Sequence, residues 1–398
     1  MKNIFSLIAA AAVAAALACP GGAKAAQEGS APGAGQLENL NLSDTGTLAP
    51  PPPAPAAVGG SADSDAGLVH GFTPRQDKLM SAHNATLQKA FLKSGNKLAP
   101  ALYRPYADYE APGYLIMSSE FNFDSRQAKL EMASRLPADA LLVIFASNPT
   151  ETAKAAILAD YASVVPAARI KVISLPSARQ GFWARDGIPV PVVGPDNRLT
   201  VVDAVYGHGF EPDAEISRLF KTGIERHGYY YEGGNFQANS AGDCMMVNHG
   251  RHVDIPDDVF SGMYGCKKLI RLPFIDGIGH VDERARFITE KVIVTDTPAY
   301  KDILQAKGFT VHLLPRPARY YETYVNSLIM NDRVIVPVFG EATDAQALAI
   351  YERLGLKASG ANSVSLSNSG QGSVHCITMT YPKVPLAEFT KALGAREF

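Results

Sequence analysis

The sequence predicts a folded protein of the mixed α and β (α/β) class; the pattern of apolar residues indicates the class, and the composition indicates a folded core. Short apolar runs of strand length alternate with longer runs whose apolar residues recur three and four positions apart, as on one face of a helix. The chain has 398 residues, of which 46% are hydrophobic and 19% charged. It can therefore bury a substantial core, either as one large domain or as two small ones.

The predicted elements follow one another from residue 141 to residue 354. The strand-like runs are residues 141–146, 170–175, 199–206, 292–295, 310–314 and 333–339. The helical runs are residues 150–164, 214–226, 300–307 and 345–354. Gly277-Ile278-Gly279 is followed by His280 rather than by a helix start, so a nucleotide-binding fold has little support.

The N-terminal residues predict export. Lys2 precedes an apolar run, residues 4–18, that is too short to span a bilayer comfortably. Ala23-Lys24-Ala25 fits a signal-peptidase site, and we favour it over the lipobox-like Leu17-Ala18-Cys19. We therefore expect a signal peptide at residues 1–25 and a secreted, periplasmic or cell-surface protein, held at a membrane only if Cys19 is lipidated.

Residues 26–68 are expected to form a disordered linker, because Ala, Gly, Pro and Ser dominate them and bury too little apolar surface to offset chain entropy. The folded domain is then residues 69–398. Its charge excludes the usual electrostatic basis for nucleic-acid binding, since Lys+Arg 37 nearly balance Asp+Glu 39. A small molecule or a peptide is the default ligand.

The four cysteines are too few for a disulfide scaffold and lack the paired spacing of a zinc site. Cys244 and Cys266 lie outside the polar motifs, and we expect them to form a disulfide in an oxidising compartment while Cys376 stays free. Two reduced, buried thiols are the alternative.

Four polar clusters interrupt the apolar pattern. They are Trp183-Ala184-Arg185-Asp186-Gly187, Glu232-Gly233-Gly234-Asn235, Gly279-His280-Val281-Asp282 and Gly372-Ser373-Val374-His375-Cys376. Each alone has an ordinary explanation, such as a turn, an ion pair or a buried thiol. If the third is extended, His280 and Asp282 share one face. A metal pair there lacks a third His or Cys, so we expect no metal site. His70, His83, His249, His252 and His312 carry no spacing argument and are interpreted as ordinary surface or core residues.

In this order, the four clusters resemble the guanidino-group-modifying enzymes, and the closest resemblance is to the bacterial peptidylarginine deiminase and agmatine deiminase branch, over residues 114–382. The segment around Asn326 is similar to the peptidylarginine deiminases, in which the matching asparagine is a site residue. The resemblance implies a five-bladed pseudosymmetric α/β propeller, the pentein fold, with a central active-site cleft and no organic cofactor.

The residue types fit such chemistry independently. A guanidinium stays charged, so a site that buries it needs carboxylates, and Asp186 and Asp282 are the candidates. Cys376 is the candidate nucleophile, because a cation beside it, either an imidazolium or the substrate, lowers a thiol pKa. His280 is the candidate general acid and base. The resemblance adds Asn326 as a hydrogen-bond donor and Glu232 as the residue that orients His280. The expected substrate-binding residues are Asp186, Asp282, Trp183, Arg185, Glu232 and Asn235.

The expected function is an exported deiminase that hydrolyses peptidyl- or protein-arginine to citrulline and ammonia through a thiouronium on Cys376. Residues 206–213 contain no arginine, so we do not expect the capture of a C-terminal carboxylate that the resemblance would imply there. The alternatives are an agmatine or free-arginine deiminase, which acts on a small guanidino compound, and a non-catalytic arginine-binding protein. A papain-like hydrolase using Cys376 and His280, or an amidino transferase, also stays open.

Overall fold

The strands of this computed structural model form five separate sheets. The structure describes residues 68–95, 97–99, 101–175, 177–195 and 197–384, all within one compact unit. The described strands are β1 (Arg104–Pro105), β2 (Tyr114–Ser118), β3 (Leu141–Ala146), β4 (Ile170–Ser174), β5 (Val190–Val193), β6 (Leu199–Val205), β7 (Gly223–Tyr230), β8 (Gln237–Ala238), β9 (Asp243–Asn248), β10 (Lys268–Pro273), β11 (Ala285–Phe287), β12 (Val292–Thr295), β13 (Thr310–Leu313), β14 (Leu328–Met330), β15 (Arg333–Val338), β16 (Lys357–Asn362) and β17 (Met379–Tyr381).

Helices connect or flank these strands. They are α1 (Pro74–Ser94), α2 (Arg126–Ser134), α3 (Glu151–Tyr161), α4 (Ala184–Gly187), α5 (Asp213–Leu219), α6 (Asp257–Gly262), α7 (Pro298–Ala306), α8 (Thr343–Arg353) and α9 (Val364–Asn368). No helix within the described ranges is long and apolar enough to cross a membrane.

All five sheets repeat one connection. The strand orders are β1-β5-β6-β7, β10-β9-β8, β11-β12-β13, β14-β15-β16 and β17-β2-β3-β4. Each sheet contains three adjacent strands of which the first two are antiparallel and the last two are parallel. A helix joins the two parallel strands, because parallel neighbours need a crossover connection. β17 pairs with β2, with Thr380 opposite Leu115, so one sheet joins distant parts of the chain.

The apolar runs form strands that are buried on both faces, which explains their nearly continuous hydrophobicity. In β3, Leu142 and Ile144 pack into one core cluster, and Val143 and Phe145 pack into another. The first cluster also contains Cys376. The core therefore lies directly beneath the polar segments that the sequence singles out.

The predicted α/β class is confirmed, and the six strand-like runs coincide with β3, β4, β6, β12, β13 and β15 to within one residue at their C-terminal ends. Three helical runs coincide with α3, α7 and α8, although α3 is shorter than predicted. The signal peptide and almost the whole linker, residues 1–67, lie outside the described residues, so those two assignments stay predictions.

The helix predicted at residues 214–226 is wrong in its second half. α5 ends at Leu219, Lys221 adopts a left-handed φ of 43°, and β7 begins at Gly223. β7 pairs in parallel with β6, with Ile224 opposite Val201. Pairing with β6 therefore overrides the local helical period.

The disulfide prediction is confirmed, since Cys244 and Cys266 are bonded, and Cys376 is the free cysteine of the described residues. The disulfide links β9 to the segment before β10. We expect Cys244→Ser combined with Cys266→Ser to lower the free energy of unfolding by about 3 kcal/mol, the chain-entropy value for a loop of this length. Urea unfolding of oxidised wild type and the double variant measures it, and equal midpoints would contradict the expectation.

Candidate active site

The polar segments occupy equivalent places in the five sheets. Each segment comes shortly before the first strand of the antiparallel pair in its sheet. The five segments therefore have the same position relative to the strands of their sheets. Asp186 precedes β5, Gly234 precedes β8, Asp282 precedes β11, Asn326 precedes β14 and Cys376 precedes β17.

Gly234 marks the point at which these segments meet. A Cβ added to Gly234 would lie 2.8 Å from both Asp186 Oδ1 and His280 Nδ1, and 3.3 Å from Asp282 Oδ2. Asp282 Oδ2 is in turn 3.7 Å from Cys376 Sγ. The structure therefore brings together the two aspartates, the histidine and the cysteine that the sequence singled out.

His280 lies among carboxylates. Its Nδ1 is 3.8 Å from Asp186 Oδ1 and its Nε2 is 3.7 Å from Glu232 Oε2. Burial by itself lowers the pKa of His280, but Asp186, Glu232 and Asp282 outweigh it and raise the pKa to about 9. His280 is therefore protonated at neutral pH and can act as an acid.

Glu232 is held in its charged form on the other side of His280. Its Oε2 accepts hydrogen bonds of 2.7 Å from Arg251 and from His252 Nε2. Burial raises the pKa of Glu232, but Arg251 and His252 outweigh this and hold it well below its usual range. The amide of Asn235 lies 2.8 Å from His252 Nδ1 and donates to it, so the proton of His252 sits on Nε2 and points at Glu232.

Asp282 is paired with His375, whose role the sequence did not reveal. His375 Nδ1 lies 2.7 Å from Asp282 Oδ2, and His375 Nε2 lies 2.8 Å from Asp108 Oδ2. Both ring nitrogens of His375 therefore contact a carboxylate oxygen. Burial raises the pKa of Asp282, but His375 outweighs it, so the net shift is downward. Asp282 Oδ1 is buried and has no hydrogen-bond partner among the described residues, which leaves it as an acceptor for a substrate N–H.

Asn326 contacts the candidate nucleophile. Its Nδ2 lies 3.1 Å from Cys376 Sγ, and its Oδ1 accepts a 3.1 Å hydrogen bond from the backbone N–H of His375. Burial, followed by the charges of Asp282 and Asp186, raises the pKa of Cys376 well above its ordinary value. The expectation of a lowered thiol pKa is therefore wrong for the protein without substrate, because burial and the nearby carboxylates both raise it.

Three of the expected substrate-binding residues instead contact protein groups. Asn235 uses its amide on Val247 O and His252, and its oxygen on the N–H groups of Val247 and Val281, so its hydrogen-bonding capacity is filled. The guanidinium of Arg185 lies 3.3 Å from Asp108, and its backbone N–H donates to Cys376 O. Asn235 therefore positions other site residues rather than substrate. Arg185 keeps Nε and Nη2 without a hydrogen-bond partner among the described residues, so its role in substrate binding stays a prediction.

Trp183, the third of them, is 1% exposed, and its indole N–H donates to Leu68 O at 2.6 Å. It borders the site beneath the segment before α1 rather than an open surface. The stretch with His280 is not fully extended either, because Val281–Glu283 forms a 3-10 helical turn. That turn nevertheless carries His280 and Asp282 to the same point.

Several residues of this network could not be recognised in the sequence. Two of them are the histidines His70 and His252, which were interpreted as ordinary residues and which contact Asp186 and Glu232, respectively. Asp108 lies outside every motif, yet it contacts Arg185, Gln237, Arg286 and His375. His375 could have been found, because it stands beside Cys376 in a quoted motif. No spacing pattern indicates the others.

Two groups of side chains within the described part of the chain have the composition of a metal site. They are His70 with Asp186 and His280, and Glu232 with His252 and His280, each with ligand atoms within 4.8 Å of one another. The third ligand that the sequence did not supply is therefore present in space. Asp186 and Glu232 already accept hydrogen bonds from protein donors, however, so both carboxylates are engaged.

The absence of a side chain at Gly234 is essential to this geometry. We expect Gly234→Ala to lower kcat/KM by about 10²-fold or more, because the methyl group would displace Asp186 or His280 from its reactive position. Steady-state kinetics on a guanidine substrate test this. Gly223→Ala is the matched control, because its Cβ would meet only Thr200 at 3.5 Å or beyond. Equal losses in both variants would contradict the assignment.

Comparison with known proteins agrees with this geometry. The chain is 27% identical to a protein of Shewanella baltica provisionally named agmatine deiminase, over 57% of this chain and 80% of that protein. The structures of agmatine deiminases from C. jejuni (TM-score 0.59, 19% identity) and Enterococcus faecalis (TM-score 0.58, 19% identity) each cover 71% of this chain and 96% of their own, and show the same fold. The Porphyromonas-type peptidyl-arginine deiminase family matches residues 122–382. The chain therefore belongs to that family of hydrolases, which act on the C–N bonds of linear amidines.

Proposed function

We propose that this protein deiminates arginine side chains of peptides or proteins and releases citrulline and ammonia. The observation that carries the proposal is the convergence of Asp186, Asp282, His280 and Cys376 on one buried point beside Gly234. Two carboxylates can fix the plane of a guanidinium by paired hydrogen bonds. The sulfur is then free to attack the central carbon from above that plane.

The first half of the reaction requires a thiolate and an acid. The raised pKa of Cys376 keeps the thiol protonated until a bound guanidinium neutralises the nearby carboxylates. The thiol then loses its proton to water, because His280 already carries one. The thiolate bonds to the guanidinium carbon and gives a tetrahedral adduct. His280 then donates its proton to one terminal nitrogen, which leaves as ammonia, and a positively charged thiouronium stays on Cys376.

The second half reuses His280 as a base. Neutral His280 takes a proton from the water that attacks the thiouronium carbon, which gives a neutral tetrahedral adduct. The carbon–sulfur bond then breaks, the hydroxyl proton of the adduct passes to the sulfur, and the ureido product leaves with the Cys376 thiol restored. Asp186 and Glu232, on either side of His280, stabilise the imidazolium at both stages. The amide of Asn326 stabilises the departing thiolate from 3.1 Å.

This role for His280 has a pH signature. Because the pKa of His280 is raised to about 9, the acid form persists through neutral pH and is lost above that value. We expect kcat/KM to fall about tenfold per pH unit above about pH 9. A pH profile on a substrate whose guanidinium stays charged measures it. A profile that remains flat beyond this pKa would contradict the role of His280.

Peptide or protein arginine is favoured over small guanidines by the predicted export. We propose that the chain acts outside the cytoplasm, after removal of residues 1–25. The Cys244–Cys266 disulfide supports this, because such bonds persist in oxidising compartments. Intact-mass measurement of the protein from its native host would show whether cleavage follows Ala25 or whether Cys19 is lipidated.

A small guanidino compound is the second candidate, since named relatives of this chain are agmatine deiminases. The experiment is mass spectrometry of an arginine peptide, free arginine and agmatine, each incubated with the purified protein. Faster conversion of the peptide supports the proposal, and conversion of agmatine alone would replace it. Binding without ammonia release would indicate a non-catalytic protein, and transfer of the amidino group to an added amine would indicate a transferase.

We also propose that the five sheets are the blades of one pseudosymmetric propeller around this site. The five repeats of one connection, and the equivalent position of a site segment in each, support that arrangement. The pairing of β17 with β2 is the contact that would close such a ring.

A further inference from the structure

The segment before α1, residues 68–72, lies directly on the candidate active site. We call it the strap. It precedes the residues matched by the family, which begin at 122, and it starts at the last residue of the predicted linker. The mechanism above uses none of its residues, yet the strap contacts Asp186 and Trp183.

His70 of the strap occupies the position that the mechanism gives to the substrate cation. Its Nε2 is hydrogen-bonded to Asp186 Oδ2, and its ring stacks on Trp183 at 4.3 Å between centroids with 12° between planes. Its Nδ1 faces the carbonyl oxygen of Gln371 at 3.3 Å. His70 is thus a flat ring with Nε2 against the aspartate Oδ2 and Nδ1 against a carbonyl oxygen, where a planar guanidinium would place its N–H groups.

Both oxygens of Asp186 already have a protein partner in this arrangement. Its Oδ1 accepts a 2.8 Å hydrogen bond from the backbone N–H of Gly234, while Oδ2 accepts from His70. The site is also closed, because Cys376 and Asp282 are 0% exposed and His280 is 2% exposed. Because the site is closed and His70 lies on Oδ2, a guanidinium has to compete with the His70 ring to reach this carboxylate.

The strap is seated by specific contacts on both sides of His70. The backbone N–H of His70 donates to Gly370 O at 2.9 Å, and His208 Nε2 donates to the carbonyl of His70 at 3.1 Å. Phe72 stacks on His208 at 4.3 Å. A Cβ on Gly372 would lie 2.4 Å from Trp183 and 2.8 Å from His70 Nδ1, so only glycine leaves room for the seated ring.

We propose that the strap is an intramolecular pseudosubstrate, which inhibits the enzyme by placing His70 on the guanidinium-binding carboxylate Asp186. This rests on the proposed function of Asp186. Substrate binding and strap binding are then mutually exclusive. The apparent affinity for any guanidine is therefore the intrinsic affinity multiplied by the fraction of molecules in which the strap is displaced. Displacement of the strap opens the path to Cys376.

The test uses the full chain and two independent readouts. One is KM and kcat for an arginine peptide and for agmatine, and the other is the rate at which iodoacetamide alkylates Cys376, followed by peptide mass mapping. The variants are His70→Ala and His70→Gln, and His83→Ala is the matched control. His83 belongs to α1 and contacts Gly228 O, away from the site.

We expect His70→Ala to lower KM and to speed alkylation, each by about tenfold, with kcat nearly unchanged and His70→Gln intermediate, since a neutral amide can still donate to Asp186. The control should behave as wild type. Loss of kcat in His70→Ala, or unchanged KM and alkylation in a variant with wild-type thermal unfolding, would overturn the proposal.

The two readouts separate this proposal from the proposed function. If neither wild type nor any variant turns over a guanidine, but His70→Ala still exposes Cys376 to iodoacetamide, the strap covers the site and the proposed deiminase function is wrong. If wild type turns over guanidines and His70→Ala changes neither readout, the deiminase function stands and the strap proposal fails.

Discussion

Cys376→Ala should abolish deimination, lowering kcat by about 10⁴-fold or more, because no other group in the site can form the covalent intermediate. Cys376 Sγ is the one sulfur beside the converging carboxylates within the described residues, 3.7 Å from Asp282 Oδ2. Guanidine binding should survive, since the alanine variant retains Asp186 and Asp282. Ammonia release and isothermal titration calorimetry on the same preparation measure the two effects.

The control for this variant is Ser373→Ala, in the same segment before β17. The Ser373 hydroxyl is buried and has no hydrogen-bond partner among the described residues. Its removal should leave kcat close to that of wild type. Undiminished ammonia release by Cys376→Ala would rule out this nucleophile, and loss of binding as well as turnover would point to a disrupted fold.

Asp282→Asn should lower kcat/KM by about 10²- to 10³-fold, because a buried carboxylate that pairs with a cation is replaced by a neutral amide. The free Oδ1 of Asp282 is the acceptor that the substrate would use, and an amide N–H at that place would repel a guanidinium N–H. The same change removes the partner of His375 Nδ1. We therefore expect a higher KM together with a lower kcat.

Steady-state kinetics on the arginine peptide measure this, with Asp344→Asn as the control. Asp344 accepts hydrogen bonds from the backbone of Phe339 and Gly340 before α8, and it takes no part in the site. Its substitution should affect unfolding rather than catalysis. A wild-type KM in Asp282→Asn would show that the substrate does not contact this carboxylate.

Much of the fold could be predicted from periodicity. Strands such as β3 are apolar on both faces and stand out as continuous runs, and α7 has apolar residues at helical spacing. The error at residues 214–226 arose because β7 is stabilised by its pairing with β6, which no local pattern contains. The five-fold repeat was implied by the resemblance and could not be derived from the spacing of the strands.

The reacting groups of the site and two supporting residues, Glu232 and Asn326, could be predicted, and the other supporting residues could not. Asp186, His280, Asp282 and Cys376 stand in short motifs with glycines, and those motifs carry the signal. Asp108 and His252 act through other side chains, from segments brought close only by folding. His70 stands two residues beyond the predicted linker, and no spacing pattern indicated its contact with Asp186. The pKa of Cys376 could not be predicted either, because it depends on burial and on two carboxylates that are far away in the sequence.

The central claim is that Cys376 bonds to the carbon of a guanidinium held by Asp186 and Asp282. The most direct measurement is acid quenching of the enzyme during turnover, followed by mass spectrometry of the peptide that contains Cys376. The account predicts an adduct on Cys376 with the mass of the substrate less one ammonia, which disappears when the substrate is exhausted. Turnover with no adduct on Cys376 at any quench time, together with activity in Cys376→Ala, would contradict it.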